Sequence, residues 1–219
     1  VGCWTKTSAI EGSELLYNDK SGLHSFSAPQ LPADLNEGFP DAFIEKPADE
    51  HSPVEQVAGA LRAADVPWTD ADVITFRNNL NKISLTPLKE RDGWVVHGCQ
   101  YEEGPLFLDI NPSVQSPGES YPNEKLFSYY GYKFEQLCTA TPATATTSTS
   151  SAEPPKVDST SEFAAVMRIR LGQHRIMMGA EMDCCEAKEA AGEGGAAASY
   201  IELKTFKTPE HPHGLRLYS

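Results

Sequence analysis

The chain has 219 residues, 40% of them hydrophobic, and 31 acidic against 18 basic side chains give it a formal net charge of −13. That balance excludes a protein that coats nucleic acid through a broad basic face, although it leaves room for a nuclease whose cleft reaches phosphate through a cation. No apolar run approaches the roughly 20 residues of a membrane span, and no charged-then-apolar signal peptide opens the chain.

The five cysteines, Cys3, Cys99, Cys138, Cys184 and Cys185, form no C-x-x-C pair. They read as reduced thiols of an intracellular protein rather than a disulfide frame or a zinc site. The first residue is Val1, from which a missing or processed natural N-terminus is expected.

Residues 1 to 50, rich in Pro, Gly and Asp, predict extended segments and turns. Ser52-Pro53-Val54-Glu55 joins an N-cap serine, a first-turn proline and an N3 glutamate, a capping box worth about 1 kcal/mol. The helix it opens buries Val54, Val57, Ala58 and Leu61. After Pro67, Thr69-Asp70-Ala71-Asp72 predicts a second cap and a helix through Val73-Ile74-Thr75-Phe76-Arg77-Asn78-Asn79-Leu80. Arg77 then lies on or beside the apolar stripe, either as a snorkelling side chain or as a phosphate clamp.

Trp94 to Tyr101 and Pro105 to Ile110 predict a hairpin turned at Glu102-Glu103-Gly104, with His97 a structural histidine. A loop at 111 to 122 leads to a mostly buried helix, Leu126 to Cys138, whose stripe is Leu126, Tyr130, Phe134 and Leu137 and which carries Glu135. Residues 139 to 160 are a Thr, Ser, Ala and Pro tract, read as a flexible insertion within a domain. Ser161 to Gly172 predicts a helix with arginines near its end, and Arg168, Arg170 and Arg175 form the one concentrated basic patch.

Arg175 to Cys185 and Ser199 to Lys207 predict strands, joined loosely through 186 to 198. Each carries two ionisable residues separated by one apolar residue: Glu181-Met182-Asp183 and Glu202-Leu203-Lys204. On an extended strand such neighbours share a face about 7 Å apart, so two strands could build a wall of three carboxylates and one ammonium. Like charges so gathered raise one another's pKa, and a divalent cation relieves them. This is the ligand chemistry of two-metal phosphodiesterases, whose cations sit about 3.5 to 4 Å apart.

Thr75-Phe76-Arg77, Gly131-Tyr132-Lys133-Phe134-Glu135, Gly179-Ala180-Glu181-Met182-Asp183-Cys184 and Tyr200-Ile201-Glu202-Leu203-Lys204-Thr205 resemble successive motifs of the DXO family of RNA 5′-end decapping and deNADding nucleases. Ala33-Asp34-Leu35-Asn36-Glu37-Gly38-Phe39-Pro40, Asp92-Gly93-Trp94 and Arg168-Ile169-Arg170-Leu171-Gly172 extend the resemblance over most of the chain.

The resemblance implies an α/β, mixed α+β fold: twisted mixed β-sheets flanked by helices, as in PD-(D/E)-x-K nucleases, here a single partial domain over 1 to 219. It implies metal ligation by Glu135, Asp183, Glu202 and the Leu203 carbonyl, with Glu181 acting directly or through a bound water. Two Mg²⁺ or Mn²⁺ ions are expected, with Glu181, Asp183, Glu202 and Lys204 catalytic, and Arg77, Glu135 and Lys204 toward substrate. The implied activity is hydrolysis at triphosphate, incompletely capped or NAD-capped RNA 5′ ends in RNA quality control, together with 5′-to-3′ exoribonuclease action, in the nucleus or the cytoplasm. The alternative is a catalytically weak protein that binds and stabilises a nuclear 5′-to-3′ exoribonuclease. Family members continue past the Glu-x-Lys strand into a segment with Trp and Gln, so an incomplete fold is expected.

Overall fold

The structure is a computed structural model that describes residues 1–47, 54–89, 93–110, 123–139, 155–186 and 199–206. The predicted cap at Ser52-Pro53, the loop at 111 to 122, most of the 139 to 160 tract and the 187 to 198 connection lie outside the described residues.

Seven strands make the main sheet. They are β1 (Gly2–Lys6), β2 (Leu15–Tyr17), β4 (Val73–Phe76), β5 (Val96–Gln100), β6 (Leu106–Ile110), β8 (Glu162–Leu171) and β9 (His174–Glu181), in the spatial order β2-β1-β8-β9-β4-β6-β5. Two small pairs accompany it: β3 (Phe43–Ile44) parallel to β7 (Val157–Asp158), and β10 (Cys184–Cys185) antiparallel to β11 (Tyr200–Ile201). The described helices are α1 (Val54–Ala63), α2 (Arg77–Leu85) and α3 (Glu124–Thr139). None is long and apolar enough to cross a membrane. The expected mixed sheet flanked by helices is therefore present.

Two of the predicted helices are corrected. Within Ser161 to Gly172, Glu162–Leu171 is strand β8, antiparallel to both β1 and β9. Its even residues Ala164 and Val166 pack with Trp4, Val57, Ala60, Leu61, Ile74 and Met177. Its odd residues Phe163 and Ala165 pack with Cys3, Leu23, Ala180, Met182 and Cys185. Over Glu162 to Val166 the strand is buried on both faces and shows no polar alternation, so that run mimics a buried helix. Gly172, expected to end that helix, instead takes a positive φ of 60° in the two-residue turn between β8 and β9, where Leu171 pairs with His174.

The second correction is at Val73 to Leu80. Val73–Phe76 is strand β4, parallel to both β9 and β6. Its β-branched Val, Ile and Thr suit a pleated, buried position better than a helix. The helix begins only at Arg77. Other expectations hold in part: the hairpin forms as β5 and β6 in antiparallel register, Val96 opposite Ile110, and the Glu135 helix is α3, but its buried residues are Tyr129, Lys133 and Cys138, while the predicted stripe Leu126, Tyr130, Phe134 and Leu137 is only half-buried. In α1 the buried stripe is Val54, Val57, Ala60 and Leu61, so Ala60 replaces the predicted Ala58. His97 lies exposed on the edge strand β5. All five cysteines are free thiols.

Close packing of α1 on the sheet leaves a position that only glycine fills. A Cβ at Gly179 on β9 would lie 2.7 Å from Val57 Cγ2 and 3.1 Å from Trp4 Cη2, both on fully buried residues. Gly179→Ala is therefore expected to destabilise the fold by about 1 to 3 kcal/mol, the usual cost of an overpacked core. Thermal unfolding checks it, and an unchanged melting temperature would contradict the packing described.

Candidate active site at the end of the sheet

Parallel pairing of β4 with β9 sets Phe76 opposite Gly179. Arg77, one residue past Phe76, and Glu181, two past Gly179, therefore emerge at one end of the sheet. Beyond β9 the Met182 N–H donates to the Phe163 carbonyl at 2.9 Å, and the Met182 side chain is buried. Glu181 and Asp183, on either side of it, project from a fixed backbone.

In the β10–β11 pair Cys184 faces Ile201, a register that continued by one residue sets Asp183 across from Glu202. The Leu203 N–H donates to the Asp183 carboxylate. The acidic pairs thus lie at strand ends: Glu181 closes β9, Asp183 sits between β9 and β10, and Glu202, Leu203 and Lys204 follow β11. The predicted strand over Ser199 to Lys207 is regular only at Tyr200–Ile201 within the described residues.

Glu135 arrives from α3. The segment around Ser25 locks that helix to the site: Ser27 N–H donates to the Cys138 carbonyl at 2.6 Å, Phe26 N–H to the Cys185 carbonyl at 2.7 Å, and Cys185 N–H to the His24 carbonyl at 2.9 Å. Tyr129, buried, donates from its hydroxyl to the Glu37 carbonyl at 2.5 Å, and buried Lys133 pairs with the Glu37 carboxylate at 3.4 Å. These contacts fasten the Asp34 to Phe39 turn against α3.

The charges are strongly coupled. Burial first, then repulsion from Asp183 and Glu181, pushes the Glu135 carboxyl up to about 8. Asp183 is raised by burial, with Glu202 repelling it, although the Leu203 N–H acts in the opposite direction. Glu181 opens to solvent along the cleft, yet the protein packed around it and the Glu162 carboxylate raise it. Glu202 is lowered: burial would raise it, but bonds from Lys204 and Arg77 outweigh that. Arg77 Nη1 lies 2.9 Å from Glu202 Oε2, and Lys204 Nζ donates to Oε1.

A cleft of about 220 Å³ has Glu135, Glu181, Asp183 and Glu162 in its walls and His24, Tyr132 and Lys156 among its other lining residues, while Glu202, Arg77 and Lys204 stand outside its lining. Glu162 was not among the predicted site residues. It is 8% exposed and is held by Lys46 at 2.9 Å. Reading β8 as a helix hid it, since a first-turn glutamate looks like a dipole-compensating surface charge.

The predicted basic patch does not serve this site. Arg168 pairs with Asp70 at 3.2 Å and Arg175 with Asp72 at 2.7 Å. Hydrogen bonds from the Arg175 side chain and backbone hold Asp72 down at about 2. Arg175 is near the start of β9 and Glu181 at its end, about 20 Å apart on an extended strand.

Carboxylate oxygens are the donors that hard divalent cations take, and burial with mutual repulsion, which raises Glu135, Glu181 and Asp183, disfavours their ionised forms unless a cation faces them. The donor set fits such a cation. Among the described residues, no group of three or more His, Cys, Asp or Glu side chains is drawn together as a finished metal-holding group, and Glu202 is held by Arg77 and Lys204.

A family model described as RAI1 like PD-(D/E)XK nuclease matches residues 1–217. The chain belongs to this family. Within it, the human "Decapping and exoribonuclease protein" is 26% identical over 229 residues, covering 97% of this chain and 54% of its own length. The "Decapping nuclease RAI1" of Aspergillus fumigatus is 29% identical over 198 residues, covering 84% and 53%. The chain thus spans about half the length of these curated relatives.

Among solved structures, Schizosaccharomyces pombe Rai1 superposes with a TM-score of 0.73 at 24% identity, and Candida albicans Rai1, crystallised with pU5 and Mn²⁺, with 0.75 at 18%. Each covers 99% of this chain and 61% of the other. At these identities the likeness shows a shared fold.

Proposed function

We propose that the protein is a divalent-cation-dependent hydrolase of phosphoryl linkages at RNA 5′ ends. The observation that carries this reading is the coupled set Glu135, Glu181, Asp183 and Glu202, with Arg77 and Lys204 bonded to its edge, in a chain of a nuclease family whose relatives are named for decapping.

Glu135, Glu181, Asp183, Glu202 and the Leu203 carbonyl would hold Mg²⁺ or Mn²⁺, two ions in the full reading, which when bound supplies Lewis acidity toward phosphoryl oxygens. The protein's own groups do the rest. Lys204, beside Glu202, orients the attacking water and meets negative charge as it develops. Arg77, already paired with a carboxylate, exchanges it for a phosphate, whose oxygens its forked donors match in two-point geometry.

Arg77→Lys keeps the charge and loses the fork. It is expected to raise KM about tenfold with a smaller change in kcat, as for an interaction made in ground and transition states alike. Steady-state kinetics on a 5′-triphosphate RNA checks this; an unchanged KM would remove Arg77 from substrate contact.

The substrate class is tested by incubating the protein with 5′-triphosphate, unmethylated-capped, NAD-capped and 5′-hydroxyl RNAs of one sequence, and with matched DNA, in Mg²⁺ or in chelator. Cation-dependent release from the first three, with DNA and 5′-hydroxyl RNA spared, is expected. Turnover of DNA alone, or turnover undiminished by chelator, would overturn the reading.

A further inference from the structure

Arg77 is the first residue of α2 and follows β4 with no connecting residue. The N-cap position, Phe76, offers no side-chain cap, and the first turn holds no acidic residue. The usual devices that fix a helix start are thus missing where the position of one side chain matters most.

A buried polar clamp takes their place. Asn79, 4% exposed, donates from Nδ2 to the Leu108 carbonyl at 3.1 Å, to Thr75 Oγ1 at 3.2 Å and to Asp109 Oδ1 at 3.5 Å. Thr75, fully buried, donates its own hydroxyl to the same Leu108 carbonyl at 2.8 Å. Backbone pairing of β4 with β6 runs only through Val73–Leu106 and Ile74–Phe107. The clamp therefore continues the attachment with side chains at the point where the chain leaves the sheet and turns into the helix. Thr75 and Asn79 bracket Arg77, two residues away on each side.

Resting on the reading of Arg77 as a phosphate-binding group, we propose that Asn79 is a positioning residue. Its amide fixes the β4–α2 junction to β6 and so holds the Arg77 guanidinium over the carboxylate cluster, ready for an RNA 5′ phosphate. The alternative is a buried asparagine that contributes to stability alone. All three of its partners are acceptors, so a donor is required; aspartate at this position would set a carboxylate against Leu108 O and Asp109.

The test is a double-mutant cycle with an independent spectroscopic readout. Asn79→Ala, Arg77→Ala and the double variant are assayed on 5′-triphosphate RNA with Mg²⁺, and the Arg77 Nε–H resonance, identified by its loss in Arg77→Lys, is followed by NMR. Thr75→Val, which removes the hydroxyl while keeping the shape, serves if Asn79→Ala does not fold. Expected results are an approximately tenfold rise in KM in Asn79→Ala, no further rise on adding it to Arg77→Ala, and a shifted or broadened Arg77 resonance. Full additivity with Arg77→Ala, or an unchanged resonance, would overturn the proposal. A resonance that moves in a protein with no 5′-end turnover would uphold the positioning and overturn the proposed function instead.

Discussion

Asp183→Ala is expected to reduce hydrolysis of a 5′-triphosphate RNA by about a hundredfold or more, the scale of removing a group that acts on developing charge. The residue stands where β9, β10 and β11 meet, flanked by buried Met182 and Cys184, and it accepts the Leu203 N–H. Removing it takes away one oxygen ligand and frees the backbone that carries Glu202. Glu202→Ala is expected to match it in rate, since it also releases Arg77 and Lys204 from their shared partner. Because Asp183 is held above its usual range by burial and by Glu202, the fold should survive its loss. Circular dichroism and initial rates check both halves, and wild-type turnover in either variant would contradict the assignment.

The second large effect is electrostatic. With its carboxyl raised from 4.5 to about 8 in the folded protein, Glu135 binds its proton more tightly folded than unfolded. For this group, metal-free stability is greatest below about 4.5, falls as pH rises through 8, and is flat above. Glu135→Gln removes that dependence. In chelator the variant is expected to be more stable than wild type at pH 9, by on the order of 5 kcal/mol, and nearly equal to it at pH 4.5. Adding Mn²⁺ should reverse the order at high pH by stabilising wild type more. Denaturant titrations at the two pH values measure it; a wild type that gains stability with rising pH relative to the variant would contradict the site's charge balance.

The sequence made the ends of the acidic segments legible because ionisable residues around a single apolar residue have few other uses. Met182 shows why the pattern works: it is buried, so its neighbours face out together. What it did not reveal was where those segments sit. They lie at strand ends, because both β9 and β11 stop as the acids begin. The misread helices share one cause. β4 and the first half of β8, Glu162 to Val166, are covered on both sides, which erases the alternation by which a strand is recognised; the second half of β8, Met167 to Leu171, does alternate apolar and charged residues. Glu162 and Asn79 were missed for the same reason: each belongs to a segment, or to the junction of one, whose type was mistaken. Arg77, by contrast, was ambiguous on a stripe and is placed by the turn from β4 into α2, a tertiary feature that no local pattern encodes.

Calorimetric titration of Mn²⁺ into the chelator-treated protein at pH 8 tests the central claim most directly. Saturable binding is predicted for wild type, weakened at least about tenfold in Asp183→Ala and in Glu202→Ala, and unaffected in Arg175→Ala, whose guanidinium serves Asp72 far from the site. Absence of binding to wild type, or equal affinity in wild type and both acid variants, would contradict it.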